Sequence, residues 1–148
     1  MEARGAEAGG KGANMGELVA AGLPVPPGFV LLRDCYRDSM SSGGVAPDLS
    51  ALHREALDTV ADTTRLTQLC EQMQSLVHRA GVADALRHVV LDAYRGLGDG
   101  TGDVVVAVRS SATGEDGADA SFAGMNATIT NVAGADGLLD AVTQCWMS

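Results

Sequence analysis

Gly9-Gly-Lys-Gly-Ala-Asn-Met-Gly-Glu17 and Val106-Ala-Val-Arg-Ser-Ser-Ala-Thr-Gly-Glu-Asp116 each set one cationic side chain beside backbone that can approach a polyanion closely. Lys11 lies among Gly9, Gly10 and Gly12, and Arg109 is followed at once by Ser110 and Ser111. Glycine lacks the Cβ that would hold a phosphate away from backbone N–H groups. A helix beginning near Gly12 would also aim its positive N-terminal dipole at the same ligand. Together the two segments predict a nucleotide triphosphate site assembled from distant parts of the chain. Gly5 to Lys11 also fits the G-x-x-x-x-G-K spacing of a P-loop, but Gly12 stands where that motif needs a Ser or Thr hydroxyl. Met1-Glu-Ala-Arg4 is no buried strand, so the strand–loop–helix context is missing too. Taken alone, a Gly-rich N-terminus reads as a flexible tail.

Working outward, a short helix is expected from Gly12 to Ala21, stopped by Gly22. Pro24, Pro26 and Pro27 then force an extended approach, because a residue before proline disfavours the helical region. Gly28 to Leu32 reads as a strand, followed by a helix to about Met40 and a loop at Ser41-Ser-Gly-Gly44. Three amphipathic helices follow at 3–4 spacing. Their expected core faces are Leu49, Leu52, Ala56, Leu57 and Val60; then Leu66, Leu69, Cys70, Met73, Leu76 and Val77; then Val82, Leu86, Val89, Ala93 and Leu97. Nothing in them asks for chemistry, and residues 45–98 read as a helical insertion beside a nucleotide-binding layer. Val104 to Val108 has the continuous apolar, β-branched pattern of a strand covered on both faces. It presents Arg109 at its C-terminal end, where ligands of α/β sheets gather. A surface salt bridge to Glu115 or Asp116 is the rival role for Arg109. Asn126 to Val132 alternates as a strand, with Ala127, Ile129 and Asn131 on one face, and Leu138 to Trp146 reads as a closing helix.

The chain has 148 residues, which suits one domain, and a net charge of −9. Folding at this size buries about 68–70% of the unfolded surface. The acidity argues against nucleic acid or an anionic membrane as partner. A nucleotide must be held by local cations, and one cation–phosphate contact is worth ~4 kcal/mol at ~4 Å before desolvation. No signal-peptide pattern opens the chain and no apolar run reaches membrane-spanning length, so a cytoplasmic protein is expected. Cys35, Cys70 and Cys145 form neither a CxxC pair nor a disulfide framework, and reduced, mostly buried thiols are expected. His53, His78 and His88 show no metal-ligand spacing.

The two opening segments, with Ala21-Gly-Leu-Pro-Val-Pro-Pro-Gly-Phe-Val30 and Ala120-Ser-Phe-Ala-Gly124, resemble in order the nucleotide-binding domain of phosphoenolpyruvate synthase. Pyruvate phosphate dikinase and rifampin phosphotransferase share that domain. Leu138-Leu-Asp-Ala-Val-Thr-Gln-Cys-Trp146 resembles the helix that follows. The resemblance implies an α/β (α+β), partial ATP-grasp-like domain over residues 1–148, with residues 1–8 flexible. It implies ATP contacts from Lys11 and Arg109, with Ser110, Ser111, Thr113 and the loop Ser121, Phe122, Ala123 and Gly124 around the phosphates. In the complete enzymes ATP phosphorylates a histidine on a swivelling domain, which passes the phosphoryl group to pyruvate or rifampin.

The departures matter too. The resemblance ends at Ser148, before the half of the fold that supplies Mg²⁺ ligands, so no metal or catalytic residue is expected within this chain. The strand expected before Gly9 is replaced by Met1 to Ala8, and Met125 stands where the synthases typically have Gln. Two readings result: an ATP-binding fragment, inactive without a complementing chain, or a non-catalytic remnant or interaction module.

Overall fold

Leu23 N–H reaches Leu18 O at 3.0 Å and Gly22 N–H reaches Val19 O at 3.0 Å. Gly22 sits at φ +73°. These paired bonds end a helix through one left-handed residue, the service for which glycine is suited. The computed structural model describes residues 5–99, 103–111 and 127–148. Their elements run α1 (Gly5–Ala20), α2 (Arg33–Ser42), α3 (Ala46–Asp58), α4 (Thr63–Ala80), α5 (Asp84–Arg95), β1 (Val106–Arg109), β2 (Thr128–Val132) and α6 (Ala135–Met147). Six helices and one two-stranded antiparallel sheet make a mixed α and β architecture among the described residues.

α1 is longer than the expected helix and is broken at Gly9, whose φ of 71° and ψ of 169° are not helical. Its regular part therefore starts at Gly10, two residues before the expected start. Gly28 to Leu32 is a correction: residues 23–32 carry no regular secondary structure and pair with no strand among those described. Pro24, Pro26 and Pro27 lack the N–H that a ladder needs on entering such a strand. Leu31 is nonetheless packed on the main core, while Phe29 and Val30 are exposed.

The sheet departs from expectation in two respects. β1 has four residues that alternate half-buried and exposed, so it is not covered on both faces. Val106 pairs with Val132 and Val108 with Ile129, which sets an extra residue into β2 between those pairs. Asn131 takes up that extra residue at φ +58°, a left-handed conformation that asparagine tolerates better than most residues. The bulge resets the two-residue alternation. Ile129 and Val132 both join the core, and Asn131 leaves the face that it was expected to share with Ile129.

The main core joins Val82, Val90 and Tyr94 to Val132, Leu138 and Val142, so α5, β2 and α6 share one interior. A second cluster, Met40, Val45 and Val77, links α2 to α4. Trp146 packs against both clusters, and its ring meets Tyr36 edge-on at 5.6 Å. Four residues expected on the helices' core faces are outside: Leu57, Val60, Cys70 and Val89. On α5 the buried stripe passes through Val90 and Tyr94 instead, and Tyr94 is tied to the backbone just before β1 and just after β2, at one end of the sheet. Its hydroxyl donates to Val104 O and accepts from Gly134 N–H at 3.0 Å. Ser39, fully buried, donates to Cys35 O at 2.8 Å and accepts Ala83 N–H at 3.2 Å, satisfying the entry to α5. All three histidines are exposed, as is Cys70; Cys35 is half-buried and Cys145 buried.

Candidate functional site

The break at Gly9 and the end of β1 meet. Ser111 Oγ donates to Ala8 O at 2.9 Å and accepts Gly12 N–H at 3.3 Å, contacts that span 103 and 99 positions of sequence. A Cβ at Gly9 would overlap both the backbone and the hydroxyl of Ser111. A Cβ at Gly12 would stand 3.1 Å from the Ala8 Cβ and 3.4 Å from Val30. These glycines thus make room for protein as well as for any ligand. Gly12 is the third residue of the regular helix after Gly9, so its N–H has no partner within the helix. Ser111 supplies that partner from the far end of the chain.

Lys11 is half-buried, between the broken residue and this cap. Arg109 is the last residue of β1, exposed and paired with Thr128, in keeping with the strand-end placement expected of it. Ser110 N–H donates to Ala127 O at 3.0 Å, and Ser110 Oγ lies 3.4 Å from the same carbonyl. Burial pushes the Cys145 thiol above the usual range, and the Ser110 backbone draws it partly back. Thr113, Ser121, Phe122, Ala123 and Gly124 lie outside the described residues, as do Glu115 and Asp116.

The two cationic segments are therefore neighbours, joined by the Ser111 hydroxyl to the backbone on either side of Lys11. Their order and identity match a known family: residues 5–148 fit the model described as the pyruvate phosphate dikinase, AMP/ATP-binding domain. The chain belongs to that family. A probable phosphoenolpyruvate synthase of Methanothermobacter thermautotrophicus is 42% identical over 143 residues, covering 95% of this chain and 21% of that protein. A second, from Methanocaldococcus jannaschii, is 41% identical over 143 residues, covering 95% of this chain and 12% of its own length. The phosphoenolpyruvate synthase of Pseudomonas aeruginosa is 36% identical over 144 residues, covering 95% of this chain and 18% of its own. The chain thus spans between 12% and 21% of the length of these relatives.

A broad cavity of about 1030 Å³ opens elsewhere in this AMP/ATP-binding domain, between α2, α3, α4 and the end of α6. None of the described phosphate candidates lines it, so its size carries no argument about the nucleotide. Among the described residues no group of three His, Cys, Asp or Glu side chains could hold a metal ion. No described helix is long and apolar enough to cross a membrane. Ala8 and the specific partnership of Gly9 with Ser111 escaped the sequence. The only signal for them was a glycine run facing a double serine.

Proposed function

We propose that this chain receives the phosphates of ATP within a phosphoenolpyruvate synthase- or pyruvate phosphate dikinase-like phosphotransferase. The domain would be ATP-grasp-like, its other half supplied by further polypeptide. The observation that carries the reading is the junction of the Lys11 segment with the Arg109 segment through Ser111, at 2.9 and 3.3 Å. Lys11 and Arg109 would neutralise the phosphates against a chain whose own net charge is −9. Ser110 and Ser111, with Thr113 and residues 121–124, would surround them with amide and hydroxyl groups. The described residues do not offer a Mg²⁺ ligand set. In the complete enzyme ATP would phosphorylate a carrier histidine, and the phosphoryl group would pass to pyruvate or to an antibiotic such as rifampin. The chain alone would bind in the cytoplasm without turnover, until joined by the complementing polypeptide.

Calorimetric titration of ATP into wild type, Lys11→Ala and Arg109→Ala tests the site. Each charged hydrogen bond is worth about 1.5–3 kcal/mol, so each substitution should weaken binding by roughly 10- to 100-fold. Arg109→Lys should restore only part, since lysine lacks the planar two-pronged contact. Unchanged affinity in both alanine variants would remove these cations from the site. No binding by wild type would favour a remnant or interaction module that keeps the fold. Release of AMP by the isolated chain given ATP, Mg²⁺ and pyruvate or rifampin would overturn the assignment of inactivity.

A further inference from the structure

We propose that Ser111 is a positioning residue, a latch that holds the Gly9–Gly12 turn against the end of β1 and so fixes Lys11 relative to Arg109. The inference rests on the phosphate reading above and assigns one of its residues a different task. A serine hydroxyl has one hydrogen to give. In Ser111 that hydrogen goes to Ala8 O at 2.9 Å, while a lone pair takes Gly12 N–H at 3.3 Å. The hydroxyl is therefore engaged with protein on both sides of Lys11, and a phosphate oxygen would have to break the Ala8 bond to receive its proton. The Ala8 and Gly12 contacts bracket the residue whose ammonium matters.

Shape supports the same assignment. Gly9 sits at φ +71°, where L side chains are strained, and any Cβ there would overlap Ser111. The backbone break and the serine thus fit one another. The turn bends away from helical geometry where Ser111 enters, and the regular helix resumes with its third amide capped by that serine. Ser110 is anchored separately, its N–H and its hydroxyl both on Ala127 O, so the latch is mounted on paired backbone. Ser110 positions the strand end; Ser111 reaches across from it.

Two measurements test the latch. The first needs no nucleotide: exchange of the Gly12 amide hydrogen followed by NMR in wild type, Ser111→Ala and Ser111→Cys. Losing the acceptor should accelerate Gly12 exchange by about tenfold or more, while amides in α4 keep their protection. Ser111→Cys fills nearly the same volume with a weak acceptor, so it should accelerate Gly12 even if Ser111→Ala folds poorly. Unchanged Gly12 exchange in a folded variant would overturn the latch, whether or not the chain binds ATP. The second is a double-mutant cycle for ATP affinity with Lys11→Ala. If Ser111 acts through Lys11, Ser111→Ala costs about tenfold in the wild-type background and less than about twofold when Lys11 is already alanine. Equal losses in both backgrounds would make Ser111 a direct phosphate ligand and overturn the proposal. Failure of wild type to bind ATP would sink the phosphate reading, while the Gly12 measurement still decides the latch.

Discussion

At Gly9 two costs of any side chain coincide, a positive φ and an overlap with Ser111. A non-glycine residue held at such a backbone angle costs about 1–3 kcal/mol before any clash. Gly9→Ala should therefore destabilise the chain by more than about 1 kcal/mol, read as a lower denaturant midpoint with unchanged slope. Gly16→Ala is the control, because a Cβ there meets nothing within 4 Å and should be neutral or stabilising. Cys145 gives a second residue-scale test. Its thiol is buried and held above the usual range, so the native state keeps a proton that the unfolded chain releases first as pH rises. Stability is thus whole below the ordinary thiol range and falls through it, since the unfolded state binds fewer protons there. Tyr36, raised in the same direction by burial, adds to the loss at still higher pH. The midpoint of Cys145→Ala should decline less steeply than that of wild type between neutral and mildly alkaline pH. A thiol reagent should modify exposed Cys70 well before Cys145. Lys11 and Arg109 stand out in the sequence as candidates because glycine and hydroxyl neighbours mark them. The Gly9–Ser111 partnership was not, since spacing cannot reveal which of several adjacent glycines meets a residue about a hundred positions away.

Among the elements, β2 shows why alternation misleads. The sequence from Asn126 to Val132 alternates well enough to announce a strand, and a strand is there. What alternation cannot carry is the extra residue at Asn131, which exists only because Val106 pairs with Val132 while Val108 pairs with Ile129. Asn131→Gly should be neutral or slightly stabilising at its φ of +58°. Asn131→Val should cost about 1–3 kcal/mol, since a β-branched residue is a genuine outlier there. Equal midpoints for the two variants would mean that the strands can re-register without the bulge. The end of α1 at Gly22 was more legible, because its chemistry is local. Asp62 accepts Arg65 N–H at 3.0 Å at the start of α4, and Asp62→Ala should cost about 0.5–2 kcal/mol. Helix faces were legible to within one position. On α5 a valine at 89 and a valine at 90 look alike in sequence, and only the hydroxyl ties of Tyr94 decide that position 90 faces inward. The strand expected at Gly28 to Leu32 failed for a related reason: an apolar run after prolines reads as extension, but a strand also needs a neighbour.

For the molecule as a whole, two opposed surface properties decide solution behaviour. Met15, Leu18 and Val19 on α1 are exposed together with Leu23, Phe29 and Val30 of the segment that follows, Val19 at 61% and Leu23 at 52%. Exposed apolar groups that gather in one stretch favour association when they form a contiguous patch. Against this stands the net charge of −9, which makes copies of the chain repel one another. Repulsion between exposed charges fades as salt shortens the screening length from ~30 Å at ~0.01 M to ~8 Å near ~0.15 M. Burial of apolar surface is not weakened in that way. Association of the purified chain should therefore rise with ionic strength, the reverse of an assembly held by opposite charges. Light scattering across that salt range, at several protein concentrations, measures it. Leu18→Lys with Val19→Lys should lower association at every salt concentration by interrupting the apolar stretch, although two lysines also reduce the net repulsion. The double Glu variant removes that ambiguity, since it interrupts the same stretch while adding to the negative charge. If both variants associate less than wild type, α1 is the adhesive surface; if only the Glu variant does, net charge alone governs the behaviour.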